Sequence, residues 1–113
     1  MTAIRFIETL CAQNVPPKNV FFYQDAILVA NVLSTPPSDE PQLRDEWIKL
    51  AKKGGFELQT CLAASLRRGI LDRQLAEEYQ QTLPSAHENF VMAGLGQLAA
   101  AMSDNSKKLI HFK

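Results

Sequence analysis

Ile4, Ile7, Leu10 and Cys11 recur at helical spacing, with Arg5, Glu8 and Thr9 between them, which predicts a helix over residues 2–13. Pro16-Pro17 then closes it in a tight connection, because proline and the residue before it resist helix. Cys11 falls on the apolar stripe and is expected in the core. Asn19-Val20-Phe21-Phe22-Tyr23 is dense in β-branched and aromatic residues and reads as a buried strand. Periodicity does not decide Gln24 to Leu33. Asp25 is placed to cap a short helix carrying Ile27, Leu28, Ala30 and Val32. Residues 34–41, Ser-Thr-Pro-Pro-Ser-Asp-Glu-Pro, form a loop that could be a pocket wall, a partner surface or a plain solvated connection. Leu43 to Lys53 is a second amphipathic helix, with Leu43, Trp47, Leu50 and Ala51 on one face and Gly54-Gly55 stopping it. Trp47 reads as a core or interface anchor.

In the next stretch the period changes. Phe56, Leu58 and Thr60 alternate with Glu57 and Gln59, as in a partly buried strand, and the strand runs into Cys61. Ala63, Ala64, Leu66, Arg67 and Arg68 favour helix, and Gly69 suits its end. Asp72 looks like the cap of a helix reaching about Gln81, with Leu75 and Tyr79 inward. Glu88 to Met92 reads as a short strand and Gly94 to Met102 as a helix. Gly94, Gly96 and Ala99-Ala100-Ala101 leave that helix one small face, able to lie close against a sheet or another subunit. Ser103 to Ser106 is a turn and Lys108 to Phe112 a terminal strand. Strands alternating with helices predict an α/β fold with an open, mostly parallel sheet.

A length of 113 residues makes one domain, residues 1–113, able to bury a core without disulfides or metals. No apolar run approaches membrane-spanning length, and Met1 to Phe6 has no basic segment followed by an unbroken apolar core, so neither a membrane partner nor a secretory signal is expected. Twelve basic and twelve acidic residues cancel, which argues against a dedicated nucleic-acid binder. Two cysteines, Cys11 and Cys61, make no disulfide framework, and a reducing cytoplasm is the simplest home. His87 and His111 stand alone, so no zinc site and no cofactor are expected.

The candidate for chemistry is Cys61. A cysteine at a strand-to-helix corner faces unpaired N–H groups and the positive end of the helix dipole, surroundings that favour the reactive thiolate. Open α/β sheets also place their sites at the carboxyl ends of strands. The plain alternative is a small buried hydrophobe. Arg67 and Arg68, six and seven residues further on, lie beyond the first turn and read as an interface or solvated face.

Cys61-Leu62-Ala63-Ala64-Ser65-Leu66-Arg67-Arg68-Gly69 resembles the segment around the active cysteine of the DsrE/TusD sulfur-relay family. Val20 to Ala26 resembles that family's second strand and following turn. Ala30 to Leu33 and Pro37 to Glu40 resemble its next loop, Trp47 falls where it has a tryptophan, and Ala93 to Leu98 resembles its last helix. The resemblance implies a single-domain DsrE-like sheet and a sulfurtransferase subunit whose catalytic residue is Cys61. It implies donor and acceptor sulfur-carrier proteins, related subunits in a hetero-oligomer, and a homo-oligomer when the chain is alone. The pathway it implies is the relay for 2-thiouridine in tRNA, with dissimilatory sulfur oxidation or a non-catalytic assembly role as alternatives. Members of the family begin with a strand and a glycine-containing loop, whereas this chain begins on the helix, so the N-terminal strand is expected to be missing. That strand normally lies centrally in a doubly wound sheet, and its loss is expected to leave neighbouring strands with unpaired backbone groups unless another segment or chain fills the gap.

Overall fold

The computed structural model describes residues 2–33, 35–38, 42–81 and 83–102. The expected turn at 103–106 and strand at 108–112 lie outside them. Along the chain run α1 (Thr2–Ala12), β1 (Asn19–Phe22), a 3₁₀ helix (Gln24–Ala30), α2 (Leu43–Gly54), β2 (Glu57–Cys61), α3 (Leu62–Arg67), α4 (Arg73–Glu78), β3 (Phe90–Ala93) and α5 (Leu95–Met102). The expected α/β architecture is present, and the described residues form a parallel three-stranded sheet in the order β1-β2-β3.

β2 is the central strand, and its alternation sets which side chains enter the core. Leu58 and Thr60 are buried, while Glu57 is exposed and Gln59 half-buried. Phe22 of β1 is the aromatic hub: its ring meets Trp47 of α2 edge-on at 5.3 Å and Phe90 of β3 at 5.7 Å. Both contacts are in the T-shaped range that aromatic quadrupoles favour. Trp47 is therefore a core residue of this chain and not a surface anchor. α1 packs on α2 and adds Ile4 and Ile7 to the same core.

β1 pairs directly with β2, from Asn19 opposite Glu57 to Phe22 opposite Thr60. The expectation of unpaired backbone between neighbouring strands is not met on this side, because the two strands close on each other. β1 is also not the fully buried strand its composition suggests. Lying at an edge of the described sheet, it buries Phe22 alone, with Val20 and Phe21 half-covered.

Other differences are local. The 3₁₀ helix carries no side-chain cap: Tyr23 occupies the N-cap position, and Asp25 is engaged elsewhere. Leu43, expected on the buried face of α2, is exposed, and Ile48 is buried beside Trp47, Leu50 and Ala51. Asp72 caps α4 as expected, accepting from the Leu75 N–H at 2.8 Å, but the helix ends at Glu78. Tyr79 then points outward, and Ala76 is the residue α4 buries. Among the described residues, a Cβ built on Gly94 or Gly96 would meet nothing within 4 Å, so these two glycines make no close approach in the single chain.

Candidate functional site

Cys61 closes β2 and is at once the N-cap residue of α3, with extended backbone angles (φ −62°, ψ 121°) and no side-chain cap hydrogen bond. The strand-to-helix corner expected from the sequence is present. A strand ends here because the alternation of β2 gives way to Leu62-Ala63-Ala64-Ser65-Leu66, a run of helix-compatible residues. α3 ends in a Schellman arrangement. The Ile70 N–H donates to the Ser65 carbonyl (2.9 Å) and the Gly69 N–H to that of Leu66 (3.3 Å), with Gly69 left-handed at φ 70°. Only a residue without a Cβ takes that angle at no cost.

All three strands run in parallel, so their carboxyl ends gather at one end of the sheet. Phe22 lies opposite Thr60, and Cys61 opposite Ala93. Tyr23 and the 3₁₀ helix leave β1 there, and Gly94 and α5 leave β3. Arg68 fastens the two crossovers together: its Nε and Nη2 each lie 3.0 Å from Asp25 Oδ1, and its Nη1 donates to the Ala64 carbonyl at 3.2 Å. Arg68 thus holds the 3₁₀ helix against the cysteine's own helix, while Arg67 is exposed. Nothing local in the sequence announces the Asp25–Arg68 pair, which spans 43 residues.

Two features depart from expectation. Cys61 is 5% exposed and belongs to the core cluster, as the plain alternative of a buried side chain has it, whereas a sulfur-carrying thiol needs an open approach. It is the last residue of the central strand of the described sheet, and both the 3₁₀ helix and α3 pack on that strand. Cys11, expected inside the core, is half-buried at the end of α1, packed against the core rather than within it. In addition, Ser65 of α3 is fully buried and its hydroxyl has no hydrogen-bond partner.

A cleft of about 650 Å³ lies between α4 and β3 and is lined by Leu62, the residue after Cys61, together with Asp72, Arg73, Glu78, Glu88 and Val91. A smaller one of about 380 Å³ opens at the start of β2, around Phe56, Glu57 and Asn89, at the far end of the strand from Cys61. Among the described residues no group of three or more His, Cys, Asp or Glu side chains is placed to hold a metal ion. No described helix is long and apolar enough to cross a membrane.

The family model described as "DsrE/DsrF-like family" matches residues 2–112. Sulfurtransferase TusD of Serratia proteamaculans (strain 568) is 43% identical over 114 residues, covering 98% of this chain and 85% of that protein. A Sulfurtransferase TusD homolog of Vibrio parahaemolyticus is 42% identical over 101 residues, 89% of this chain and 77% of that protein. A Sulfurtransferase TusD homolog of Aliivibrio fischeri is 40% identical over 100 residues, 88% of this chain and 77% of that protein. With a parallel α/β sheet, a strand-to-helix cysteine at its carboxyl end and a family match along almost its whole length, this chain belongs to the DsrE/DsrF-like family.

Proposed function

We propose that this chain is a sulfurtransferase subunit of a sulfur relay, with Cys61 as the residue that carries the sulfur. The observation that supports this most directly is the place of Cys61 at the carboxyl end of the central strand, in a chain 43% identical to a sulfurtransferase. In the reaction, the Cys61 thiolate attacks the outer sulfur of a donor persulfide. The Cys61–sulfur bond forms as the donor's sulfur–sulfur bond breaks, the donor leaves as thiolate, and Cys61 holds a persulfide. An acceptor thiolate then attacks that outer sulfur and releases Cys61 as thiolate. Such exchange requires an accessible thiolate and no net oxidation.

In this reading residues 1–113 are one domain working in the cytoplasm with related subunits and with donor and acceptor carrier proteins. The relay ends in 2-thiouridine of tRNA, and tRNA is not bound directly, because twelve basic and twelve acidic residues leave no cationic excess. The burial of Cys61 favours a second reading, an assembly subunit whose cysteine only packs.

One experiment separates the two. Each cysteine variant is incubated with a persulfidated donor protein and weighed by mass spectrometry. Sulfur addition is expected on the parent chain and on Cys11→Ser, and none on Cys61→Ser. A Cys61→Ser protein that still gains a sulfur, or a parent that gains none, overturns the proposal.

A further inference from the structure

Cys61 is 5% exposed, yet the exchange proposed for it needs a thiolate that an incoming sulfur can reach. The 3₁₀ helix packs on β2 and on α3, the two elements that meet at Cys61, and its two ends are held differently. The far end is tied through the backbone. There the Ala30 carbonyl accepts from the His87 N–H at 2.8 Å, the Asn31 carbonyl accepts from Arg44 Nη1 at 2.7 Å, and the Val32 N–H donates to the Ser85 carbonyl at 2.8 Å. At the near end stands the pair of Asp25 with Arg68, and the Asp25 side chain is 87% exposed, so water and salt screen the pair. Gln24, the first residue of the helix, takes φ 51°, a left-handed angle that residues other than glycine adopt at a cost. No side chain caps the helix, and 3₁₀ hydrogen bonds are poorer in geometry than α-helical ones. Strain, a screened ion pair and an uncapped start thus lie together at one end, with a firm anchor at the other. Between them Ile27 is fully buried in the core cluster that also holds Cys61.

We propose that the 3₁₀ helix is a gate over Cys61, latched by the Asp25–Arg68 pair. To open, the pair breaks, Gln24 leaves its left-handed angle and Ile27 is drawn out of the core, while the Ala30–Val32 end stays anchored. The strain at Gln24 is released in that motion, which offsets part of the cost of exposing Ile27. Arg68 is the C-cap residue of the cysteine's own helix, so the latch ties the gate to the element it shields. The inference rests on the proposed function and adds how a buried thiol is reached by its sulfur donor and acceptor.

The test uses the full chain in a Cys11→Ser background and the small neutral probe 4,4′-dithiodipyridine. The Cys61 thiolate attacks one probe sulfur, the probe's disulfide breaks as the protein–pyridyl disulfide forms, and 4-thiopyridone leaves with an absorbance that gives the rate. Where the gate closes faster than the probe reacts, that rate follows the open fraction. Each variant is measured across pH and compared on the plateau where the thiol is fully ionised, so that a change in thiol ionisation moves the midpoint and leaves the comparison intact. Ile27→Val, which trims the side chain that must be drawn out, should react about three- to tenfold faster than the parent. Ile4→Val makes the same cut in the same core cluster but on α1, and should leave the rate unchanged. Asp25→Ala should react about two- to fivefold faster at low salt, and added salt should bring the parent up to it. An Ile27→Val or Asp25→Ala chain no faster than the parent overturns the inference. So does an Ile4→Val chain accelerated as much as Ile27→Val, because the thiol would then be reached by unfolding of the whole domain. The proposed function survives these outcomes if the parent still takes a sulfur from the persulfidated donor. A parent that reacts with neither the probe nor the donor overturns both.

Discussion

Thr60 and Ser65 are both completely buried, one on the last turn of β2 toward the cysteine and the other four residues beyond it on α3. Their hydroxyls differ in one respect. Thr60 Oγ1 donates to Met92 Sδ at 3.3 Å, whereas Ser65 Oγ has no partner. A buried hydroxyl without a partner costs about 1–3 kcal/mol in desolvation. Ser65→Ala removes that cost and adds up to about 0.5 kcal/mol of helix propensity within α3. Against this stands the loss of one atom's packing, roughly 0.3 kcal/mol at about 24 cal/mol per Å³ of cavity. The net is a stabilisation of about 1–3 kcal/mol, or a rise in Tm of roughly 5–15 °C for a domain of this size. Thr60→Val, the matched control, keeps the shape and deletes a made bond, so it should be neutral or destabilising by up to about 1 kcal/mol. Urea unfolding followed by circular dichroism, with calorimetry for Tm, measures both. A Ser65→Ala protein no more stable than its parent would refute the reasoning, because it would show the hydroxyl satisfied in solution.

Two further outcomes are expected. A Cβ on Gly54 would come within 2.8 Å of Cys11 Sγ and 2.9 Å of Phe56 Cδ1, so Gly54→Ala should destabilise by about 1–2 kcal/mol despite its better helix propensity. Adding Cys11→Ala should recover part of that loss in denaturant titrations, and no recovery would mean that the Phe56 ring alone sets the limit. Alone in solution the chain should form a homo-oligomer, since large apolar side chains such as Leu33 (77% exposed) and Leu83 (76%) are left open to solvent in the single chain. Light scattering that returns a clean monomer at micromolar concentration would count against this.

What the sequence determined by itself is the succession of elements and the identity of the cysteine's corner. Helix and strand periods differ, so α1, α2 and the alternation of Phe56, Leu58 and Thr60 are legible wherever one face is buried and the other wet. Asp72 and Gly69 are legible for the same local reason, because a cap or a left-handed turn is chosen by its own residue. Burial of the second kind is not local. Whether Cys61 is reachable depends on what packs against the central strand, and β1 loses its expected burial because it lies at an edge of the described sheet. Trp47 could not be divided between core and interface until Phe22 was seen to meet it. Asp25, read as a cap, is held instead by Arg68, and Ser65 is left without a partner. Such pairings are decided by distance in space between residues far apart in the chain, which no period or propensity along the sequence encodes.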